Sequence, residues 1–116
     1  MGALTTHVLD TANGIPAAGL KIELWAHSNG DATLIKTAIT NADGRLDAPA
    51  LSQAEFKVGQ YELRFFAGDY FRQYGELSEP AFLDVIPLMF GIADLDSHYH
   101  VPLLVSPFSY STYRGS

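Results

Sequence analysis

The sequence predicts an all-β fold, a sandwich of two packed sheets, on three observations. Most of the chain reads as short segments in which apolar and polar residues alternate, the period of a half-buried strand. Turn signals built on Asn, Asp, Gly and Pro separate these segments. Hardly any stretch carries a helical period. Roughly seven or eight short strands with turns between them fit a β-sandwich. At 116 residues the chain is expected to form one domain over residues 1–116, long enough for one core and not for two.

The elements follow in order. Leu4 to Asp10 alternates, with Leu4, Thr6 and Val8 on one face and Thr5, His7 and Leu9 on the other, until Asn13-Gly14-Ile15-Pro16 breaks it. Leu20 to His27 sets Leu20, Ile22, Leu24 and Ala26 against Lys21, Glu23, Trp25 and His27. His27, beside the next turn and away from every motif, is assigned a structural or exposed place. Ser28-Asn29-Gly30-Asp31 is a hairpin signal, because Asn-Gly tolerates the positive φ of a tight turn. Ala32 to Thr40 forms the returning strand, with Thr33, Ile35, Thr37 and Ile39 on one side, and Asn41-Ala42-Asp43-Gly44 is a second turn. Ser52 to Val58 reads as a loop. Gln60 to Phe66 is a strand that points Tyr61, Leu63 and Phe65 together. Asp69 to Tyr74 lacks alternation and is given the one short helix. Phe82 to Ile92 is a strand in which Pro87 cannot donate to a ladder, so it belongs at an edge or a bulge. The last strand region divides Tyr99, Val101, Leu103 and Val105, the core face, from His98, His100, Pro102 and Leu104. A turn at Ser106-Pro107 leads to a second run, Tyr110 to Arg114.

Composition excludes several functions. Hydrophobic residues make up 47% of the chain, too many for a disordered polymer. No apolar run is long enough to cross a bilayer, so no membrane partner is expected. Met1-Gly2-Ala3-Leu4 has neither the basic nor the apolar part of a leader, which predicts a cytoplasmic protein, or a periplasmic one if a leader has been removed. The absence of cysteine removes disulfide and thiolate chemistry. A net charge of −6, with seven scattered Lys and Arg, argues against a nucleic-acid partner. There is no glycine-rich phosphate loop.

The residues that could carry chemistry lie toward the two ends and at one turn. His98 and His100 share a strand face, and a His-x-His pair is a fragment of a zinc site. His7 would supply a third ligand if the first and penultimate strands were neighbours; otherwise it is a surface histidine. Arg45 ends the second turn, where an exposed arginine is the ordinary outcome. Tyr113-Arg114-Gly115-Ser116 is either a frayed end or a docked one. Its aromatic residue and its conformationally free glycine favour docking.

Three sets of motifs place the chain near a known family. His98-Tyr99-His100-Val101-Pro102-Leu103-Leu104, Ser109-Tyr110-Ser111 and the terminal Tyr113-Arg114-Gly115-Ser116 form the first. Thr6-His7-Val8-Leu9-Asp10-Thr11 with Gly14-Ile15-Pro16-Ala17 forms the second, and Thr40-Asn41-Ala42-Asp43-Gly44-Arg45 the third. Together they resemble the 5-hydroxyisourate hydrolases, the transthyretin-like enzymes of urate catabolism. The resemblance implies a transthyretin-like β-sandwich of two four-stranded sheets with one short helix, acting as a homotetramer on a small-molecule substrate without cofactor or metal. It implies catalytic roles for His7, Arg45, His100 and Ser116, and substrate contacts from Arg45, His98, Ser111, Tyr113, Arg114 and Gly115. Transthyretin proper carries an acidic residue where Arg45 stands and lacks the terminal Tyr-Arg-Gly-Ser, so these residues separate hydrolase from hormone carrier. A carrier of aromatic ligands and a zinc-dependent hydrolase are the alternatives. The apolar and aromatic outer face of the last two strands, Pro102, Leu104, Ser111 and Tyr113, points independently to assembly.

Overall fold

The computed structural model describes residues 2–115. Nine strands form two sheets: β1 (Ala3–Asp10), β2 (Ile15–Pro16), β3 (Lys21–Ser28), β4 (Asp31–Ile39), β5 (Leu51–Ser52), β6 (Gly59–Phe66), β7 (Val85–Ile92), β8 (Tyr99–Val105) and β9 (Tyr110–Thr112), with one short helix, α1 (Ala67–Phe71). The second sheet has the order β4-β3-β6-β7. The first runs β2-β1-β8-β9, with β5 also pairing with β1, so it counts five strands. That is one strand more than the expected four, and the two members that the sequence did not mark are β2 and β5, two residues each and too short for an alternating pattern. The expected sandwich with one short helix is otherwise what forms.

One pairing differs in kind from the rest. β1 and β8 run parallel, with Leu4 opposite Tyr99, Thr5 opposite His100 and His7 opposite Pro102; every other ladder is antiparallel. Parallel neighbours need a long crossover, and here the crossover is the whole second sheet. Alternation then decides the faces. Leu4 and Val8 of β1 and Val101, Leu103 and Val105 of β8 turn inward. They meet Ile22 and Leu24 of β3, Leu63 and Phe65 of β6, and Ile86 and Leu88 of β7 in one buried cluster. Thr5, His7 and His100 face the other way.

The punctuation read from sequence is where it was expected. Asn29 has a φ of 54° in the β3–β4 turn, and α1 continues as a 3₁₀ turn over Arg72–Tyr74. Pro87 lies on β7, an edge strand, where its missing N–H must face the free side. On β4, the opposite edge, Leu34, Ile35 and Ile39 all remain exposed. His27 is structural: its Nε2 lies 2.7 Å from Glu62 Oε1, while Arg64 Nε donates to Glu62 Oε2 at 2.8 Å. The Arg64 hydrogen bond, helped by His27 and opposed by burial, holds the Glu62 carboxyl below the usual carboxylate range.

A buried carboxylate ties the end of β1 to the helix. Asp10, 1% exposed, accepts from the backbone N–H groups of Ala12 and Asn13, from the Asn13 side-chain amide, and from the Tyr70 hydroxyl at 2.8 Å. Burial, with the carboxylate beside it, pushes the Tyr70 phenol up, so its O–H stays available to donate. Asp10→Ala strips four donors of their acceptor and should cost about 3 kcal/mol, whereas Tyr70→Phe removes one bond and should cost about 1.5 kcal/mol. Urea midpoints measure both. Equal losses in the two variants would show that Asp10 does not organise this corner.

Candidate active site

The outer face of the β1–β8 pair forms one wall of a cavity of about 470 Å³. Thr5 and Thr6 enter it from β1, and His98 and His100 from β8 and the residue before it. Arg45, Asp47 and Pro49 complete it from the segment after the second turn. This segment is held by its own backbone and by β1. Asn41 Oδ1 accepts from the N–H groups of Asp43 and Arg45, and Asn41 N–H donates to Arg45 O at 2.8 Å. Gly44 then lies directly on β1. Its carbonyl accepts from Val8 N–H at 2.8 Å, its φ is +74°, and a Cβ there would fall 2.4 Å from the Val8 carbonyl oxygen. Only glycine permits that approach. The result sets Arg45 against His7 in a backbone bridge.

The polar atoms have defined partners. His7 Nε2 lies 2.9 Å from the Asp43 carbonyl. A carbonyl can only accept, so this nitrogen carries the proton. His7 therefore clamps the turn that carries Arg45, and it is not one of the residues lining the cavity. His98 Nε2 and His100 Nδ1 both reach Thr5 Oγ1, at 2.9 and 2.8 Å. His100 is half-buried. That burial, followed by the positive Arg45 and the neighbouring His7 and His98, pushes its pKa below the ordinary histidine value and keeps it neutral. Arg45 is exposed and joins no ion pair among the described residues. A cation without a partner, beside a neutral imidazole, suits an anionic or electron-rich ring.

The chain end docks against His100. Gly115 N–H donates to the His100 carbonyl at 2.8 Å, and a Cβ on Gly115 would stand 2.6 Å from His100 Cδ2. The tail is thus packed on the imidazole, and a side chain at 115 would displace it. Arg114 turns away from the cavity. Its guanidinium lies 4.1 Å from the Tyr99 ring centroid, and its Nη2 reaches the His98 carbonyl at 3.4 Å. Tyr113 is exposed and borders, with Arg114, Met89 and Phe90, a separate recess between β7 and β9. Ser111 pairs with Leu104 and does not line the cavity. Ser116 lies outside the described residues.

The fold therefore brings Arg45, His98, His100 and Gly115 together, with His7 behind the turn. Sequence reasoning overlooked Thr5. It shares the His7 face of β1, but nothing local says that His100 will stand opposite. The same pairing makes His7 a neighbour of the His-x-His strand, the condition for a three-histidine zinc site. Nevertheless, the His7 ring is committed to Asp43, and no group of three or more His, Cys, Asp or Glu gathers to hold a metal among the described residues.

The chain is similar to known proteins over nearly its whole length. A relative from Rhizobium meliloti (strain 1021), 5-hydroxyisourate hydrolase 2, is 62% identical over 99% of this chain and 97% of its own. The Klebsiella pneumoniae 5-hydroxyisourate hydrolase structure superposes with a TM-score of 0.82 at 33% identity, covering 100% of both chains. An (S)-allantoin synthase structure matches with a TM-score of 0.92 at 55% identity over 99% of this chain, which spans only 44% of that longer one. The HIUase/Transthyretin family model matches residues 4–115, and the chain belongs to that family.

Proposed function

We infer that this chain is a hydrolase that opens 5-hydroxyisourate by attack of water on a ring carbonyl, giving 2-oxo-4-hydroxy-4-carboxy-5-ureidoimidazoline. The observation that carries this reading is the meeting on one cavity of a neutral, half-buried His100 and an Arg45 that joins no ion pair among the described residues. The relatives' named activity supports it. Hydrolysis of a cyclic amide needs a base for water, positive charge for the developing oxyanion, and a proton for the departing nitrogen. His100 takes the proton from water as the oxygen attacks. Arg45 orients the ring with its planar fork of donors and stabilises the oxyanion. The C–N bond then breaks, the departing ring nitrogen is protonated, and the carbonyl carbon remains on the product as its carboxylate. His7 positions Arg45 through Asp43. His98 borders the ring, and Ser116, next along from Gly115, is assigned to substrate contact.

Assembly belongs to the same reading. β7 and β9 end their respective sheets on the same side of the sandwich. Val85, Met89, Tyr110 and Tyr113 on or beside them are at least 40% exposed, and such patches are usually covered. We assign a homotetramer in which further copies close the open side of the cavity. Analytical ultracentrifugation should give the mass of four chains at micromolar concentration; a monomer mass would end this proposal.

Three substitutions test the site in an ultraviolet assay with freshly prepared substrate. Arg45→Lys keeps charge but loses the fork, and should lower kcat/KM by about 1.5–3 kcal/mol, roughly ten- to a hundredfold. Arg45→Gln also removes the charge that opposes His100 protonation. The His100 pKa then rises, and because base catalysis is lost as pH falls through it, the acid limb of kcat/KM should move to higher pH. An unmoved limb would separate Arg45 from His100. Gly115→Ala should reduce kcat on the order of ten- to a hundredfold by displacing the imidazole, with little change in melting temperature. Unchanged turnover would place the tail outside the site.

A further inference from the structure

Thr5 Oγ1 is bonded to two histidines of the cavity at once, His98 through Nε2 at 2.9 Å and His100 through Nδ1 at 2.8 Å. A hydroxyl owns one proton. It can donate to at most one of the two rings, so at least one ring must donate to it. The two imidazoles are thereby coupled: both cannot present a bare nitrogen to Thr5. The arrangement is fixed by backbone, because Thr5 stands opposite His100 in the β1–β8 ladder and His98 precedes His100 by two residues on the same face. Among the described residues Thr5 is the sole hydrogen-bond partner of the His100 ring, whose Cδ2 edge is covered by Gly115.

We propose that Thr5 is a positioning residue that sets the tautomer of His100 and joins it to His98, making the exposed His98 the proton port between His100 and solvent. The proposal rests on the reading of His100 as the base and extends it. In the receiving state His100 Nδ1–H donates to Thr5, Thr5 O–H donates to His98 Nε2, and His98 holds its own proton on Nδ1. His100 Nε2 then has its lone pair. When Nε2 takes a proton from the attacking water, the Nδ1 proton passes to Thr5 Oγ1 as the Thr5 proton passes to His98 Nε2. His98 becomes the imidazolium and releases its Nδ1 proton to solvent.

The three groups now hold the same number of protons as at the start, with every hydrogen bond reversed. His98 Nε2–H donates to Thr5, Thr5 donates to His100 Nδ1, and His100 carries its proton on Nε2, where it is an acid for the departing ring nitrogen. Giving that proton up draws Thr5's onto His100 Nδ1 and that of His98 Nε2 onto Thr5, while His98 Nδ1 takes one from solvent, restoring the first state. One histidine thus serves both proton transfers in turn, as base and then as acid. A consequence concerns acid solution. A protonated His98 can only donate to Thr5, which holds His100 in the Nε2–H form or leaves Thr5 no acceptor. Among the described residues, the titratable and charged groups around this line are His7 behind the Arg45 turn, Arg45 and Asp47 on the cavity wall, and Arg114 at the His98 carbonyl.

The test reads the tautomer directly. In ¹⁵N-labelled full-length protein without substrate, the ring nitrogens of His100 should report a substantial Nδ1–H population near neutral pH. Thr5→Val, which keeps the shape and removes the hydroxyl, should shift His100 toward Nε2–H and lower kcat about tenfold or more, the scale for losing a partner that fixes a histidine tautomer. KM should change little, and Thr5→Ser should recover both signals. In His98→Ala, added imidazole should raise the rate by supplying a diffusible proton carrier. An unchanged His100 tautomer in Thr5→Val, or wild-type kcat in that variant, would overturn the positioning role. Absence of rescue by imidazole would overturn the proton port. Full activity in His100→Ala would sink the underlying base assignment, a result the substrate-free tautomer measurement does not depend on.

Discussion

The parallel pairing of β1 with β8 is the constraint on which the rest depends. It joins residues more than ninety positions apart and fixes two faces in one step. Inward, Leu4 and Val8 meet Val101, Leu103 and Val105 at the centre of the core. Outward, the same register sets Thr5 opposite His100 and puts His7 two pairs further along. A slip of one residue would exchange the faces, bringing the imidazoles into the core and leucines onto the surface. The hydrophobic pattern that stabilises the sandwich therefore also holds the geometry of the candidate site. The site is built on strands, whose positions are set by ladders on both sides, with loops contributing only the Arg45 turn and the tail.

Electrostatics in the cavity follows from how little neutralises it. Among the described residues Arg45 has no carboxylate partner, and His7 spends its Nε2 proton on a backbone carbonyl. His100, partly desolvated and near this positive charge, stays neutral. Elsewhere the protein pairs its charges closely: Glu62 with Arg64 and His27, and Arg72 with Asp69 and Asp84. The contrast marks the outer face of β1 and β8 as the place where an anionic ring would complete the charge balance.

Much of the fold was legible because its signals are local. Alternation placed β1, β3, β6 and β8 with the correct inward residues, Asn29-Gly30 marked the hairpin, and Pro87 marked an edge. The strands β2 and β5 escaped because two residues show no period, whereas β4 was read as the returning strand over Ala32 to Thr40 and forms over Asp31–Ile39. The site was legible only as a set of residue types. Arg45, His98, His100 and the tail were identified by family resemblance, and the structure brings them together. Thr5 had no sequence signal apart from sharing a face with His7, since its meaning depends on a partner far along the chain. Tyr113, Arg114 and Ser111 matched the same motifs yet do not line the cavity. Their side chains stand on Tyr99, beside β7, or against Leu104, which the motif alone does not specify.

The parallel crossover also orders events during synthesis. The second sheet is drawn from one continuous middle stretch, β3, β4, β6 and β7, whose ladders link strands close in sequence. The first sheet needs both ends of the chain. At roughly 5–20 residues per second, the interval between translating Asp10 and Tyr99 is on the order of ten seconds. Through that time β1 has emerged while its longest partner does not yet exist. Its other edge is covered at its two ends by the short β2 and β5 and between them by the backbone of Gly44 and Arg45, so the edge that β8 will take stays open. That open edge is the one free to meet neighbouring nascent chains until Tyr99 to Val105 has been made. A chain halted before Tyr99 has a first sheet that lacks β8 and β9 and leaves this edge bare.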